Sequence, residues 1–206
     1  MVSTPALTRA LRLEVASVGW ALVEAGTSLV AGIAASSIAL VAFGADSAIE
    51  MLSALIVIAE LRTHATAQGV ARAFRLVALL FFALAAYVIV AALVSLVART
   101  QPDRSVVGMV VAASSLIFMP LLARAKSQTA SDLRSAGSTM LGGLVAADAA
   151  ETALCAVLGL STLLGLAAST WLGWWWADPV ASLVVVVFAV REGLEAWGHE
   201  IDAPAP

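Results

Sequence analysis

The stretch LVALLFFALAAYVIVAALVSLVA, from Leu76 to Ala98, contains no charged residue. An α-helix rises about 1.5 Å per residue, so about 20 consecutive apolar residues cross the hydrocarbon core of a bilayer. Leu76–Ala98 reaches that length and is predicted to be a transmembrane helix. The rest of the chain has a similar character, since 62% of its 206 residues are hydrophobic and 12% are charged. Soluble domains carry about 25% charged residues, so we expect an integral membrane protein in contact with a lipid bilayer.

Composition also excludes two other classes of protein. The net charge is −3 and no basic stripe runs along the chain, which argues against nucleic-acid binding. Cys155 is the only cysteine. The chain therefore cannot form an intrachain disulfide, and a disulfide-stabilised scaffold is excluded.

Six segments of the chain are long and apolar enough to be membrane spans. Residues 1–206 are therefore predicted to form a single all-α domain, a polytopic membrane protein with six transmembrane helices. The sixth segment is the least apolar, because Arg191 and Glu192 follow its apolar run Pro179–Val190. Asp178 is interpreted as the N-cap of that helix, with proline at the first helical position. The predicted spans are residues 14–35, 38–60, 76–98, 105–123, 139–167 and 177–197.

The distribution of basic residues predicts the orientation of these spans. Cytoplasmic loops are enriched in Lys and Arg. With the N- and C-termini cytoplasmic, two basic residues lie outside, Arg99 and Arg104, and the other nine lie inside. Both termini are therefore expected to be cytoplasmic, in a bacterial inner (plasma) membrane. The inside residues are Arg9, Arg12, Arg62, Arg72, Arg75, Arg124, Lys126, Arg134 and Arg191.

Five carboxylates lie well inside the predicted spans, where each charge costs on the order of 3 kcal/mol. They are Glu24, Asp46, Glu50, Asp148 and Glu151. Residues four apart share one helix face, which groups Asp46 with Glu50 on the second helix and Glu151 with Cys155 on the fifth. The first pair lies about 12–18 Å below the outer boundary, and the second pair lies about 18–24 Å above the inner one. The two pairs therefore overlap in depth near the midplane.

These two pairs are predicted to form a divalent-metal site. Since we expect no Lys or Arg within the bilayer, protons or a bound cation must neutralise the carboxylates. Oxygen and sulfur donors from Asp46, Glu50, Glu151 and Cys155 are typical of a tetrahedral metal site. Asp148, one turn nearer the cytoplasm, is expected to support these ligands or to carry protons.

Two of the polar residues also have simpler interpretations. Glu24 can be a protonated carboxylic acid that hydrogen-bonds to a neighbouring helix, or it can belong to a proton path. Cys155 taken alone is a small apolar residue that fills space between helices. Its spacing from Glu151 is what favours a role in metal binding.

Three segments of the chain resemble the cation diffusion facilitator family. VAFGADSAIEMLS, at 41–53, resembles the second helix of the family, which carries two acidic ligands as D-x-x-x-D. LVAADAAETALCAVL, at 144–158, resembles the fifth helix, where AD precedes a His or Asp ligand and then an Asp. WWADPVASLVVVV, at 175–187, resembles the start of the sixth helix.

The resemblance implies a homodimeric, proton-coupled exporter of divalent cations. Asp46 and Glu50 take the ligand positions of the second helix, and Glu151 and Cys155 take those of the fifth. Helices one, two, four and five would surround the site, with helices three and six paired beside them. Glu50, Glu151 and Cys155 each depart from the usual ligand type, so the metal preference of the family does not carry over. We expect a short form without the C-terminal cytoplasmic domain, whose dimer would rest on transmembrane helices.

The sequence thus predicts a transporter and not an enzyme, exporting Zn²⁺ in exchange for H⁺. Co²⁺ and Cd²⁺ are further candidates for the transported ion. A Mn²⁺ or Fe²⁺ carrier is an alternative that the carboxylates favour and the thiolate disfavours. An intramembrane metal-dependent hydrolase is a weaker alternative, because catalytic zinc sites usually use His and no His lies in a predicted span. A membrane scaffold without transport is the last alternative, and it would tolerate apolar replacements of the four ligands.

Overall fold

The protein is an all-α molecule. The computed structural model describes residues 4–63 and 67–201, and the side chains of residues 5–62 and 75–198. Within these ranges it contains six helices and no β-strand, which confirms the predicted fold class. The helices are α1 (Thr4–Ala35), α2 (Ile38–Thr63), α3 (Ala67–Ala98), α4 (Val106–Ser135), α5 (Thr139–Leu172) and α6 (Ala177–Ile201).

Five of these helices, α1 to α5, are long and apolar enough to cross a membrane. The prediction of a membrane protein built from transmembrane helices is confirmed for these five. α6 is not among them. Its apolar run Pro179–Val190 is bounded by Asp178 on one side and by Arg191 and Glu192 on the other.

The helices extend beyond the predicted spans, most of all α1, α3 and α4. α3 begins at Ala67 and not at residue 76. α1 begins at Thr4 and not at residue 14, and α4 continues to Ser135 instead of ending at residue 123. Pro120 lies inside α4 without ending it. The extension of α4 places Lys126 within a helix that packs against other helices, whereas we expected this lysine in a cytoplasmic segment.

The helices form a four-helix group with a helix pair beside it. α4 packs along α5 and α1 packs along α2, while α1 also contacts α4 and α2 also contacts α5. α3 and α6 pack along one another and contact α2, and α6 also contacts α5. The interior of the four-helix group is therefore bounded by α1, α2, α4 and α5.

Asp178 connects the helix pair to the four-helix group. It lies in the first turn of α6 and not before it, so the prediction that it caps α6 is wrong. Its carboxylate instead accepts hydrogen bonds from the Ser37 hydroxyl and from the backbone N–H groups of Ile38, at 2.8 Å, and Ala39, at 3.3 Å. A carboxylate at the N-terminus of a helix satisfies its free N–H groups. The cap therefore ties the start of α2 to the start of α6.

Gly44 allows α1 and α2 to approach closely. A Cβ atom at this position would lie 2.8 Å from the backbone nitrogen of Leu29 and 2.9 Å from Cβ of Ser28. Small residues at such contacts permit close packing of transmembrane helices. Gly26 on α1 is exposed, and a Cβ atom there would meet no atom of a neighbouring helix within 4 Å in the described part of the chain.

We predict that Gly44→Ala destabilises the protein and that Gly26→Ala does not. The added methyl group at position 44 must displace backbone atoms of α1, at a cost of about 1–3 kcal/mol. Thermal unfolding in detergent, followed by the fluorescence of the six tryptophans, measures the difference. Equal unfolding midpoints for the two variants would show that α1 and α2 are not in close contact at Gly44.

Candidate functional site

Three of the four predicted metal ligands meet in the interior of the four-helix group. Sγ of Cys155 lies 2.9 Å from Oε2 of Glu50 and 3.4 Å from Oδ2 of Asp46. The two carboxylates lie one turn apart on the same face of α2, and the thiol reaches them from α5. All three side chains are buried. We call Asp46, Glu50 and Cys155 the central cluster.

Glu151 lies next to the central cluster but is held by a different partner. The hydroxyl of Ser53, also on α2, donates a hydrogen bond of 2.9 Å to Oε2 of Glu151. Oε1 of Glu151 has no hydrogen-bond partner with normal geometry. Glu151 precedes Cys155 by about one turn of α5. Glu151 is therefore a neighbour of the cluster with one oxygen available for a further contact.

The described part of the chain contains no group of three or more His, Cys, Asp or Glu side chains whose atoms are arranged to hold a metal ion. In the central cluster the thiol is a hydrogen-bond donor to the carboxylates. A divalent cation at this place would require the Cys155 thiolate and a rotation of Glu151 towards Glu50. The oxygen and sulfur atoms of the central cluster and of Glu151 are of the types that bind transition metals, but they would bind one only after Cys155 loses its proton and Glu151 rotates.

Lys126 overturns the expectation that no basic residue lies among the buried carboxylates. Its side chain is fully buried. Nζ forms ion pairs with the carboxylate of Asp148 and, at 3.2 Å, with Oε2 of Glu14, and it donates to Oγ1 of Thr152 at 3.1 Å. The ammonium group thus has three oxygen neighbours, of which those of Asp148 and Thr152 accept hydrogen bonds from it. We call Glu14, Lys126 and Asp148 the inner triad.

The inner triad was missed because α4 was expected to end before Lys126. A periodic pattern in the sequence could have revealed it, since the residues of α4 that are buried recur every three or four positions. These residues include Met119, Ala123, Lys126, Ala130 and Leu133. Lys126 lies on the buried face of the helix, where long basic side chains are uncommon. It was assigned to a cytoplasmic segment because cytoplasmic loops are enriched in basic residues.

Glu24 belongs to a buried polar face of α1. Oε2 of Glu24 accepts a hydrogen bond of 3.0 Å from Ser47, which is adjacent to Asp46 in α2. Glu14, Ser17, Glu24 and Ser28 share the interior face of α1, and each is no more than 2% exposed. Several atoms on this face have no hydrogen-bond partner with normal geometry, namely Glu14 Oε1, Ser17 Oγ, Glu24 Oε1 and Ser28 Oγ.

This polar face spans much of the thickness of a bilayer. Residues 14 and 28 are about 21 Å apart along the helix. Buried polar groups without protein partners cost about 1–3 kcal/mol each unless water satisfies them. The face of α1 is therefore a row of buried polar groups that extends from the inner triad to the level of the central cluster.

Comparison of the chain with protein-family models finds no match, and no curated protein matches it either.

We predict that Lys126→Met strongly destabilises the protein. The change leaves Glu14 and Asp148 buried without a cation, and removing one partner of a buried ion pair costs about 3–5 kcal/mol. Arg124→Met is the matched control, because Arg124 is exposed on the same helix. Thermal unfolding and the yield of monodisperse protein on size-exclusion chromatography are the measurements.

A rescue experiment tests the cause of that loss. Adding Glu14→Gln and Asp148→Asn to Lys126→Met removes both unpaired charges, so stability should recover most of its wild-type value. If Lys126→Met were as stable as Arg124→Met, the lysine would not be buried in an ion pair.

Proposed function

We propose that the protein is a transporter that exports a divalent transition-metal cation, with Zn²⁺ as its preferred substrate, in exchange for protons. The observation that carries this proposal is the contact of the Cys155 thiol with the carboxylates of Asp46 and Glu50 in the interior of the helix group. Thiolate and carboxylate donors together suit Zn²⁺. The resemblance of α2 and α5 to cation diffusion facilitators supports the same assignment.

The proposal includes six membrane spans with cytoplasmic termini. α6 packs along α3 as the second helix of the helix pair. The tryptophans that precede it are typical of a membrane interface. The excess of basic residues on the side of the N-terminus supports this orientation, although the side chain of Arg72 lies outside the described residues. A homodimer formed through transmembrane helices, in a bacterial inner membrane, completes the proposed assembly.

In the proposed mechanism the cation binds from the cytoplasmic side. The thiol and the carboxylates of the central cluster lose protons as they ligate the ion, and Glu151 turns from Ser53 to join them. Rocking of the four-helix group then exposes the ion to the outside. Protons return to the same donor atoms and release it.

The inner triad and the polar face of α1 have distinct tasks in this mechanism. Lys126 holds Glu14 and Asp148 by ion pairs, which couples α1, α4 and α5 into one unit during rocking. Glu24 accepts a hydrogen bond from Ser47, the neighbour of Asp46 in α2, and in this mechanism it carries protons beside the central cluster. Metal and proton would then approach the cluster from different helices.

A Mn²⁺ or Fe²⁺ carrier is the second candidate. The observation in its favour is the number of buried carboxylates near the cluster, because carboxylate oxygen suits Mn²⁺. The direct contact of the thiol with both acids of α2 favours Zn²⁺ over these ions.

We predict that Asp46→Asn abolishes Zn²⁺ transport, with at least about a 100-fold loss of initial rate. The amide keeps the shape of the side chain but is a poor ligand, and removing a buried charge relieves a desolvation cost, so folding should be unimpaired. Zn²⁺ uptake into proteoliposomes measures the rate. Asp103→Asn, at an exposed acid between α3 and α4, is the matched control. Uptake by Asp46→Asn at the rate of this control would exclude the proposed site.

We further predict that Zn²⁺ binding releases protons. Protons and the cation compete for the same donor atoms, so affinity should weaken as pH falls, by up to about tenfold per pH unit for each proton released. Titration calorimetry in two buffers of different ionisation enthalpy counts these protons. Glu24→Gln should keep Zn²⁺ affinity and slow the exchange driven by a pH gradient. Binding heat that does not depend on the buffer, with affinity unchanged between about pH 6 and pH 8, would exclude antiport.

A further inference from the structure

A narrow cavity lies between α2, α3, α5 and α6. Its volume is about 140 Å³. Along α5 it extends from Gly143 to Leu154, which is about 17 Å and reaches the level of Cys155. The cavity therefore leads from the N-terminal end of α5 to the depth of the central cluster.

Acidic side chains from two helices line this cavity. Asp148 comes from α5, and Glu192 and Glu195 come from α6. Arg191 also lines it, and its Nε donates to Oε1 of Glu195 at 2.9 Å. The remaining lining side chains are mainly apolar, and they include Val57, Val77, Phe81 and Leu154.

Asp148 gives the cavity a buried ligand atom. Its side chain is 3% exposed, and its Oδ2 is engaged by Lys126. Oδ1 has no hydrogen-bond partner with normal geometry. With Lys126 paired to Oδ2, the free oxygen Oδ1 can accept a hydrogen bond from water bound to a cation.

Glu192 of α6 lies in the same cavity as Asp148. Its side chain is partly buried, whereas that of Asp148 is buried. A cation in the cavity would therefore be attracted first by Glu192 and then by the acids deeper in the protein. A space of about 140 Å³ is large enough for several water molecules and therefore for a partly hydrated metal ion.

We propose that this cavity is a cytoplasmic recruitment site for the divalent cation, where Glu192 and Asp148 hold the partly hydrated ion before Glu151 passes it to the central cluster. Arg191 engages Glu195 and so lowers the negative charge at the entrance. This inference rests on the proposed function, which supplies the cation and the direction of transport. It assigns to α6 a role in substrate capture that the central cluster does not perform.

The kinetic test compares Glu192→Gln with Asp132→Asn in inside-out membrane vesicles. Asp132 is an exposed acid at the end of α4, paired with Arg9 and outside the cavity, so its variant removes the same charge elsewhere on that side. Glu192→Gln should raise the KM for Zn²⁺ about five- to tenfold and leave the maximal rate within about twofold. Asp132→Asn should leave both unchanged. Equal KM values for the two variants would overturn the recruitment site while leaving the proposed transport function intact.

A labelling test does not depend on transport. Ala147 lines the cavity and is exposed, whereas the native Cys155 is 2% exposed. Ala147→Cys should react with a positively charged thiol reagent added from the cytoplasmic side, and Zn²⁺ should slow that reaction. Glu192→Gln should remove most of this protection. Protection that is unchanged by Glu192→Gln, or absent altogether, would overturn the proposal even if the protein transported Zn²⁺.

Discussion

The burial of one ammonium group controls the arrangement of the interior. A charge surrounded by helices in a membrane is tolerated only with partners of opposite charge. Lys126 finds them on two other helices, in Glu14 and Asp148, so α1, α4 and α5 must meet at one depth. Cys155 follows Asp148 by two turns of α5, about 10 Å. The ion pairs therefore also set the level at which the thiol meets the acids of α2.

The buried acids divide into two groups according to what neutralises them. Asp148 and Glu14 have a cation that is part of the chain and cannot leave. Asp46 and Glu50 contact a thiol instead, and in the proposed mechanism exchangeable cations, either protons or a metal ion, neutralise them. The proposed transport function would use both properties, because a fixed charge stabilises the framework and an exchangeable one is the cargo or its counter-ion.

α6, the helix least suited to crossing a membrane, carries acidic residues that line the cavity beside α5. α6 is not among the helices that meet the length and composition of a span, and its charged end includes Glu192 and Glu195. Those two residues line the cavity beside α5. Asp178 at the other end is buried and caps α2. The charges that make α6 polar are thus used in contacts with the cavity and with a neighbouring helix.

Hydrophobic composition by itself determined that the chain is helical and membrane-embedded, because a bilayer accepts only segments that satisfy their own backbone hydrogen bonds. The four-residue spacing of Asp46 and Glu50 likewise determined that both lie on one face of α2. Only the tertiary structure decided that Cys155 contacts them while Glu151 bonds to Ser53, since rotation of a helix about its axis depends on its packing. The tertiary structure also decided that Lys126 is buried in ion pairs. Short-range sequence patterns place a basic residue at a membrane boundary, whereas its burial depends on carboxylates supplied by α1 and α5, which are distant in the chain.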